Sequence, residues 1–177
     1  IQSETYYCGP ASAIMVLKKE GKSNTHYITQ NYLAGSTLSP TRLQTNYYHQ
    51  TPFDSNWDNT MTFYSNHTYS RMWGDPYDST NHAIALTNSA IGTLASGYGV
   101  IYDTVQYQYG TARLVGYNSL THDMYHYVAG EGYNTADPYN RLCLYVDPNG
   151  NNASAVGHRQ IGFRLMCTLV KDRGIVF

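Results

Sequence analysis

Charge is scarce in this sequence. Asp, Glu, Lys and Arg together make up 13% of its 177 residues. Eleven Lys and Arg against twelve Asp and Glu leave a net charge of −1. With no basic surplus, nucleic acid is excluded as the main partner, because binding phosphates needs clustered cations. With 42% hydrophobic residues, the low charge also excludes a disordered acidic or basic chain. No run approaches about 18 apolar residues, so no segment reads as a membrane span. Cysteine is sparse too. The three present form no C-x-x-C pair, which excludes zinc-ribbon and thioredoxin-type readings. His26, His49, His67, His82 and His158 show no metal-ligand spacing, and neither metal nor cofactor is expected. Residues 1–7 carry neither a basic nor an apolar leader region, so no signal peptide is read there. A start at Ile1 fits removal of a leader. No repeat and no long linker divides the chain, so 1–177 reads as one domain.

What is abundant is tyrosine, 19 residues beside four Phe and two Trp. Tyr with many Asn, Thr, Ser and Gly gives a wet, hydrogen-bonding surface with few charges. That favours a secreted or extracellular protein, although lineage bias would give the same composition.

Periodicity divides the chain in two. Residues 10–20 read as a helix, with Pro10 at its first position, Ala13, Ile14 and Leu17 inward, and Gly21 as stop. Shorter helices are expected over 25–34, with Ile28 and Leu33 inward, and over 41–49, with Leu43 and Tyr47 inward. Residues 50–80 read as loops with one helical turn near Trp57–Tyr64. Residues 81–95 read as a helix. Strands are expected at 100–105, 125–129, 142–146 and 160–170. Helix-rich text over 1–96 followed by β-rich text over 97–177 is an α+β pattern.

Cys8 is the most informative residue. A reactive cysteine must be a thiolate, and a helix N-terminus stabilises that charge. Cys8 stands immediately before Gly9-Pro10 and the first helix. A nucleophile also needs a base, and the base an orienting acceptor. His126 lies on an expected strand, and Asp147 at the end of the next one. A β-hairpin would set the two side by side. Acyl transfer needs oxyanion donors as well. Gln2 offers a side-chain amide and Cys8 its backbone N–H.

Gln2-x5-Cys8-Gly9-Pro10-Ala11-Ser12 resembles the nucleophile motif of papain-like cysteine peptidases. It is closest to the bacteriocin-processing (double-glycine leader) peptidase family and its free-standing secreted relatives. His126-Tyr127-Val128-x-Gly130-x-Gly132-Tyr133 resembles that family's strand around the base, and Tyr145-Val146-Asp147-Pro148 its Val-x-Asp-Pro segment. Order and spacing agree. The resemblance implies a papain-like α+β fold, an N-terminal helical lobe packed on a C-terminal antiparallel sheet. It implies a bacterial cysteine peptidase acting on a peptide or protein through a Cys8 thioester. Cys8 would be nucleophile, His126 base, Asp147 orienting residue and Gln2 oxyanion donor. Glu131 departs from the pattern by placing a carboxylate near the base, and residues 157–177 have no counterpart.

Other readings stay open. Phytochelatin-synthase-like proteins use a similar Cys, His, Asp set to transfer γ-glutamylcysteine. A non-catalytic module of the same fold would use its Tyr-rich loops, with Trp57 and Trp73, to stack on peptide or glycan. His122 is a rival base. Asp147 before Pro148 is also an ordinary turn residue. His82 and His158 are minor candidates for the cleft. Cys143 and Cys167 are either a disulfide or two buried thiols. Asn66-His67-Thr68 and Asn152-Ala153-Ser154 match the glycosylation acceptor pattern.

Overall fold

A computed structural model describes residues 1–21, 28–35, 42–46, 50–137 and 139–177. Helix α1 spans Cys8–Lys19. It begins two residues earlier than the sequence predicts, so Pro10 lies third in the first turn. Proline is tolerated there because the first four helical N–H groups lack intrahelical acceptors. Helix α2 covers only Gln30–Ala34, capped by the Thr29 hydroxyl, which accepts from Tyr32 N at 3.1 Å. Ile28 and Leu33 are buried as expected. The first part of that expected helix, with His26, lies outside the described residues.

The expected helix over 41–49 is not found over residues 42–46. Gln44 and Gln50 take left-handed φ values of 51° and 53°, and Asn46 bridges to Gln50. Leu43 is nevertheless buried, and its N–H bonds Leu33 O at 2.7 Å. Tyr47 and His49 lie outside the described residues. Near Trp57, in place of a single turn, stands α3, Asn56–Tyr64. Its start is held by the Asp54 carboxylate, which accepts Asn56 N at 2.9 Å, and Trp57 and Met61 are fully buried one turn apart. Trp57 is therefore core and offers no stacking surface; Trp73 is half exposed, edge-on to Phe53.

Helix α4 spans Thr80–Ala95. The strands are β1 (Arg71–Trp73), β2 (Val100–Gln106), β3 (Met124–Asn134), β4 (Leu142–Asp147), β5 (Gly157–Gly162) and β6 (Gly174–Val176). The expected strand over 160–170 is corrected. Only its beginning belongs to β5, and Phe163–Val170 forms α5. Phe163, Met166, Cys167 and Val170 are buried at i, i+3, i+4, i+7 spacing, which is helical. A nearly continuous apolar run hid that period.

All six strands form one antiparallel sheet in the order β1-β6-β2-β3-β4-β5. Alternate residues serve two cores. Ile101, Tyr127, Ala129 and Val176 face α1, α2 and α3. Val100, Tyr102, Val128 and Ile175 face α4 and α5. The fold is thus α+β with helices on both faces. The expected division at 96/97 is crossed twice, by β1 entering the sheet from the first half and by α5 arising in the second. Cys143 and Cys167 are free buried thiols.

Candidate active site

Two contacts fix the start of α1. The Ser12 hydroxyl, fully buried, donates to Tyr127 O of β3 at 3.1 Å. Gly9 lies against Thr51; a Cβ there would come within 2.8 Å of Thr51 Cβ and 2.9 Å of its Cγ2. Only a residue without a side chain brings the helix this close. Thr51 is itself held, its hydroxyl 2.8 Å from that of Thr45 and its carbonyl accepting Tyr127 OH at 2.9 Å. Cys8, buried, is thereby presented over β3 as the first residue of α1. Its N–H and that of Gly9 have no intrahelical acceptor, and the dipole of the turn favours negative charge there.

β3 and β4 are antiparallel neighbours, with Ala129 opposite Val146. That register brings His126, near the start of β3, to Asp147, at the end of β4. His126 Nε2 and Asp147 Oδ1 are 2.9 Å apart, both side chains buried. Cys8 lines the same cavity as this imidazole, and its sulfur is among the groups that raise the imidazole's affinity for a proton. With Nε2 committed to Asp147, Nδ1 is the nitrogen left for the thiol. Thr104 on β2 donates to His126 O at 2.6 Å and steadies the strand.

Burial works against charge on His126, but the Asp147 and Cys8 hydrogen bonds and charges outweigh it and raise the imidazole above its usual range. Asp147 moves the other way. Burial would raise its carboxyl, yet His126, the Asn149 N–H and the Tyr117 hydroxyl hold it below the usual carboxylate range. Asn149 N donates to Asp147 Oδ1 at 2.8 Å, and Tyr117 OH to Oδ2 at 3.1 Å. The arrangement is a buried acid–base pair beside a thiol.

Gln2 reaches the same place through its backbone: its N–H donates to Pro148 O at 2.8 Å. Its side-chain Nε2 donates to Thr5 O at 3.1 Å, and its buried Oε1 has no partner among the described residues. Gln2, Cys8 and His126 line one cavity of about 320 Å³, together with Tyr6, His122, Asp123, Tyr125 and Asn149. All four residues singled out from sequence thus converge.

The rival His122 is exposed at the rim of this cavity, its ring bonded to the Thr121 hydroxyl. His82 bonds Trp73 O at 2.8 Å, and His158 pairs with Glu131 at 2.8 Å; neither lines this cavity. Glu131 sits at the bulge between Gly130 and Gly132, directed to β5 and away from the base. Asn152 uses its amide on Gly116 O at 3.1 Å, inside the fold.

Tyr117 and Asn149, which hold the Asp147 carboxylate, were not singled out from the sequence. Asn149 carried a usable signal, since an Asp two residues before a backbone N–H often accepts from it in a turn. Tyr117 carried none among 19 tyrosines. Among the described residues, no group of three His, Cys, Asp or Glu could hold a metal ion, and no helix is long and apolar enough to cross a membrane.

A family model described as the Peptidase_C39 like family matches residues 1–163, which include Gln2, Cys8, His126 and Asp147. No curated protein and no solved structure matches the chain.

Proposed function

Because the chain belongs to the Peptidase_C39-like family, we propose that it is a cysteine peptidase whose nucleophile is Cys8. The observation that carries this reading is the buried His126–Asp147 contact at 2.9 Å, with Cys8 at the same imidazole and at a helix N-terminus.

In this reading the substrate carbonyl enters the cavity above Cys8. The sulfur attacks the carbonyl carbon as a thiolate paired with the His126 imidazolium. The developing oxyanion lies against the Cys8 N–H and the Gln2 side-chain amide. For the latter, Gln2 Nε2 uses the hydrogen that it does not give to Thr5. His126 then passes its proton to the leaving amine, and a thioester remains on Cys8. Water, deprotonated by His126, hydrolyses the thioester and frees the carboxylate product. Asp147 holds Nε2–H throughout, so that Nδ1 faces the sulfur and the imidazolium keeps its counter-charge.

The test uses iodoacetamide across pH 4 to 9, with peptide mass spectrometry identifying the alkylated cysteine. Cys8 is expected to label ahead of Cys143 and Cys167, which are buried in the core of the other sheet face. His126→Ala should remove that selectivity. Hydrolysis of an unbiased peptide library should disappear in Cys8→Ala. A Cys8→Ala protein that still cleaves every peptide cut by the parent refutes the assignment. An unreactive Cys8 with specific retention on a peptide or glycan polymer would point to the binding module instead.

A further inference from the structure

The loop between β2 and β3 is tied to β2, to β4 and to the turn that follows β4. Leu114 N donates to Gln106 Oε1 at 2.9 Å, and Val115 N to Tyr145 OH at 3.0 Å. Gly116, with φ 89°, lies so near residue 154 that a Cβ would sit 2.5 Å from Ser154 C. Asn152 donates to Gly116 O at 3.1 Å. A loop tied by hydrogen bonds at three successive residues is a fixed support; it buries Leu114 in the core and delivers one side chain to Asp147.

That side chain is Tyr117, only 4% exposed. Its hydroxyl donates to Asp147 Oδ2 at 3.1 Å and accepts from Asn149 Nδ2 at 3.1 Å. Its ring lies against the His126 ring, centroids 5.8 Å apart and tilted by 54°. The hydroxyl has one proton to give, and the Asn149 amide, being a donor, leaves Asp147 as the acceptor. Asn149 also caps the other carboxylate oxygen through its backbone. The Asp147 carboxylate is therefore held at both oxygens, with His126 as its third partner.

We propose that Tyr117 is a positioning residue for the catalytic pair, with Asn149 as its orienting partner. The hydroxyl fixes the rotation of the Asp147 carboxylate so that Oδ1 aims at His126 Nε2, and the ring screens that contact from water. A carboxylate free to rotate would share its charge with solvent and let the imidazole swing off the thiol. Tyr117 touches neither the sulfur nor a substrate carbonyl in this scheme; it acts through Asp147. The inference rests on the peptidase reading above.

The experiment needs no known substrate. Cys8 alkylation by iodoacetamide is followed from pH 4 to 9 in the parent and in Tyr117→Phe, Asn149→Ala and His126→Ala, each checked by circular dichroism. Tyr117→Phe keeps the ring and loses the hydroxyl. Its expected signature is alkylation about tenfold slower at pH 5, the scale of a lost hydrogen bond to a charged group. Its acid limb should also move to higher pH, because Asp147 loses a donor that favours its ionised form. Asn149→Ala should shift the limb the same way by less. A purely structural Tyr117 would leave the shape of the profile unmoved. A Tyr117→Phe profile that overlays the parent while His126→Ala is slowed overturns this inference alone. If His126→Ala also labels like the parent, the peptidase reading fails and takes the inference with it.

Discussion

Replacing Gly9 by alanine tests how tightly the nucleophile is located. The new Cβ would approach Thr51 Cβ at 2.8 Å and Cγ2 at 2.9 Å, and the Thr51 hydroxyl more closely still. Comfortable carbon–carbon contact begins at about 3.5 Å, so helix or threonine must yield by about 1 Å. Thr51 cannot turn away freely, because it is buried and tied to Thr45 and Tyr127. Overpacking of this kind costs about 1–3 kcal/mol. The better helix propensity of alanine returns at most about 1 kcal/mol. A net loss of about 1–2 kcal/mol lowers the melting temperature by about 3–6 °C for a chain of this size. The chemical effect should be larger. The displaced atoms belong to the residue beside Cys8, and a shift of about 1 Å can cost about 100-fold in rate. Thermal melting by circular dichroism and Cys8 alkylation by iodoacetamide read the two effects separately. Thr51→Gly removes all three offending atoms. The Gly9→Ala/Thr51→Gly protein should label like Thr51→Gly alone. If Gly9→Ala labels Cys8 at the parental rate, or if Thr51→Gly fails to restore it, the packing argument is wrong.

Three further outcomes are expected. Arg173 Nε bonds the fully buried Asp103 at 2.9 Å, and burial lifts the Asp103 carboxyl to about 7 even against this partner. A group raised in the folded state favours folding below its unfolded value, near 4, and that contribution is lost as pH rises through the folded value. Arg173→Met raises Asp103 further, so its stability deficit in urea should reach about 3–5 kcal/mol at pH 9 and shrink markedly at pH 5; equal deficits at both pH values would refute this. Ser12→Ala leaves Tyr127 O without its buried donor and should cost about 1–2 kcal/mol in the same assay; a neutral result would mean that water replaces the hydroxyl. Asp147→Asn should keep the fold at pH 7 but slow Cys8 alkylation by at least tenfold, since a neutral amide cannot balance the imidazolium; parental rates would remove Asp147 from its role.

The sequence was most legible where chemistry and local structure coincide. Cys8, Gly9 and Pro10 lie within one helical turn, and His126 and Asp147 within one hairpin, so short motifs carried their relation. It was least legible where tertiary contacts decide. β1 and β6 have three residues each, too few to show a period, and exist because each completes the other's ladder. Arg42–Asn46 fails to become helical because its backbone is taken up by α2 and by the Gln50 bridge. Phe163–Val170 reads as strand because six of its eight residues are apolar or sulfur-bearing, which masks periodicity. Tyr117 acquires its place only when the loop is tied to β4.

The insertion of β6 between β1 and β2 has a bearing on how the protein is made. Ile175 and Val176 are fully buried between two strands of the sheet, yet they are translated after every other strand. Until they arrive, β1 has no neighbour and one edge of β2 stands open to pairing with another chain. The closing contacts join residues near 71 to residues near 176, a separation that slows folding and prolongs exposure of that edge. The nascent chain therefore carries its nucleophile early but its finished scaffold last. Shortening the chain to the 1–163 region would leave β1 unpaired and the β2 edge of a four-stranded sheet open, prone to aggregate before it could act.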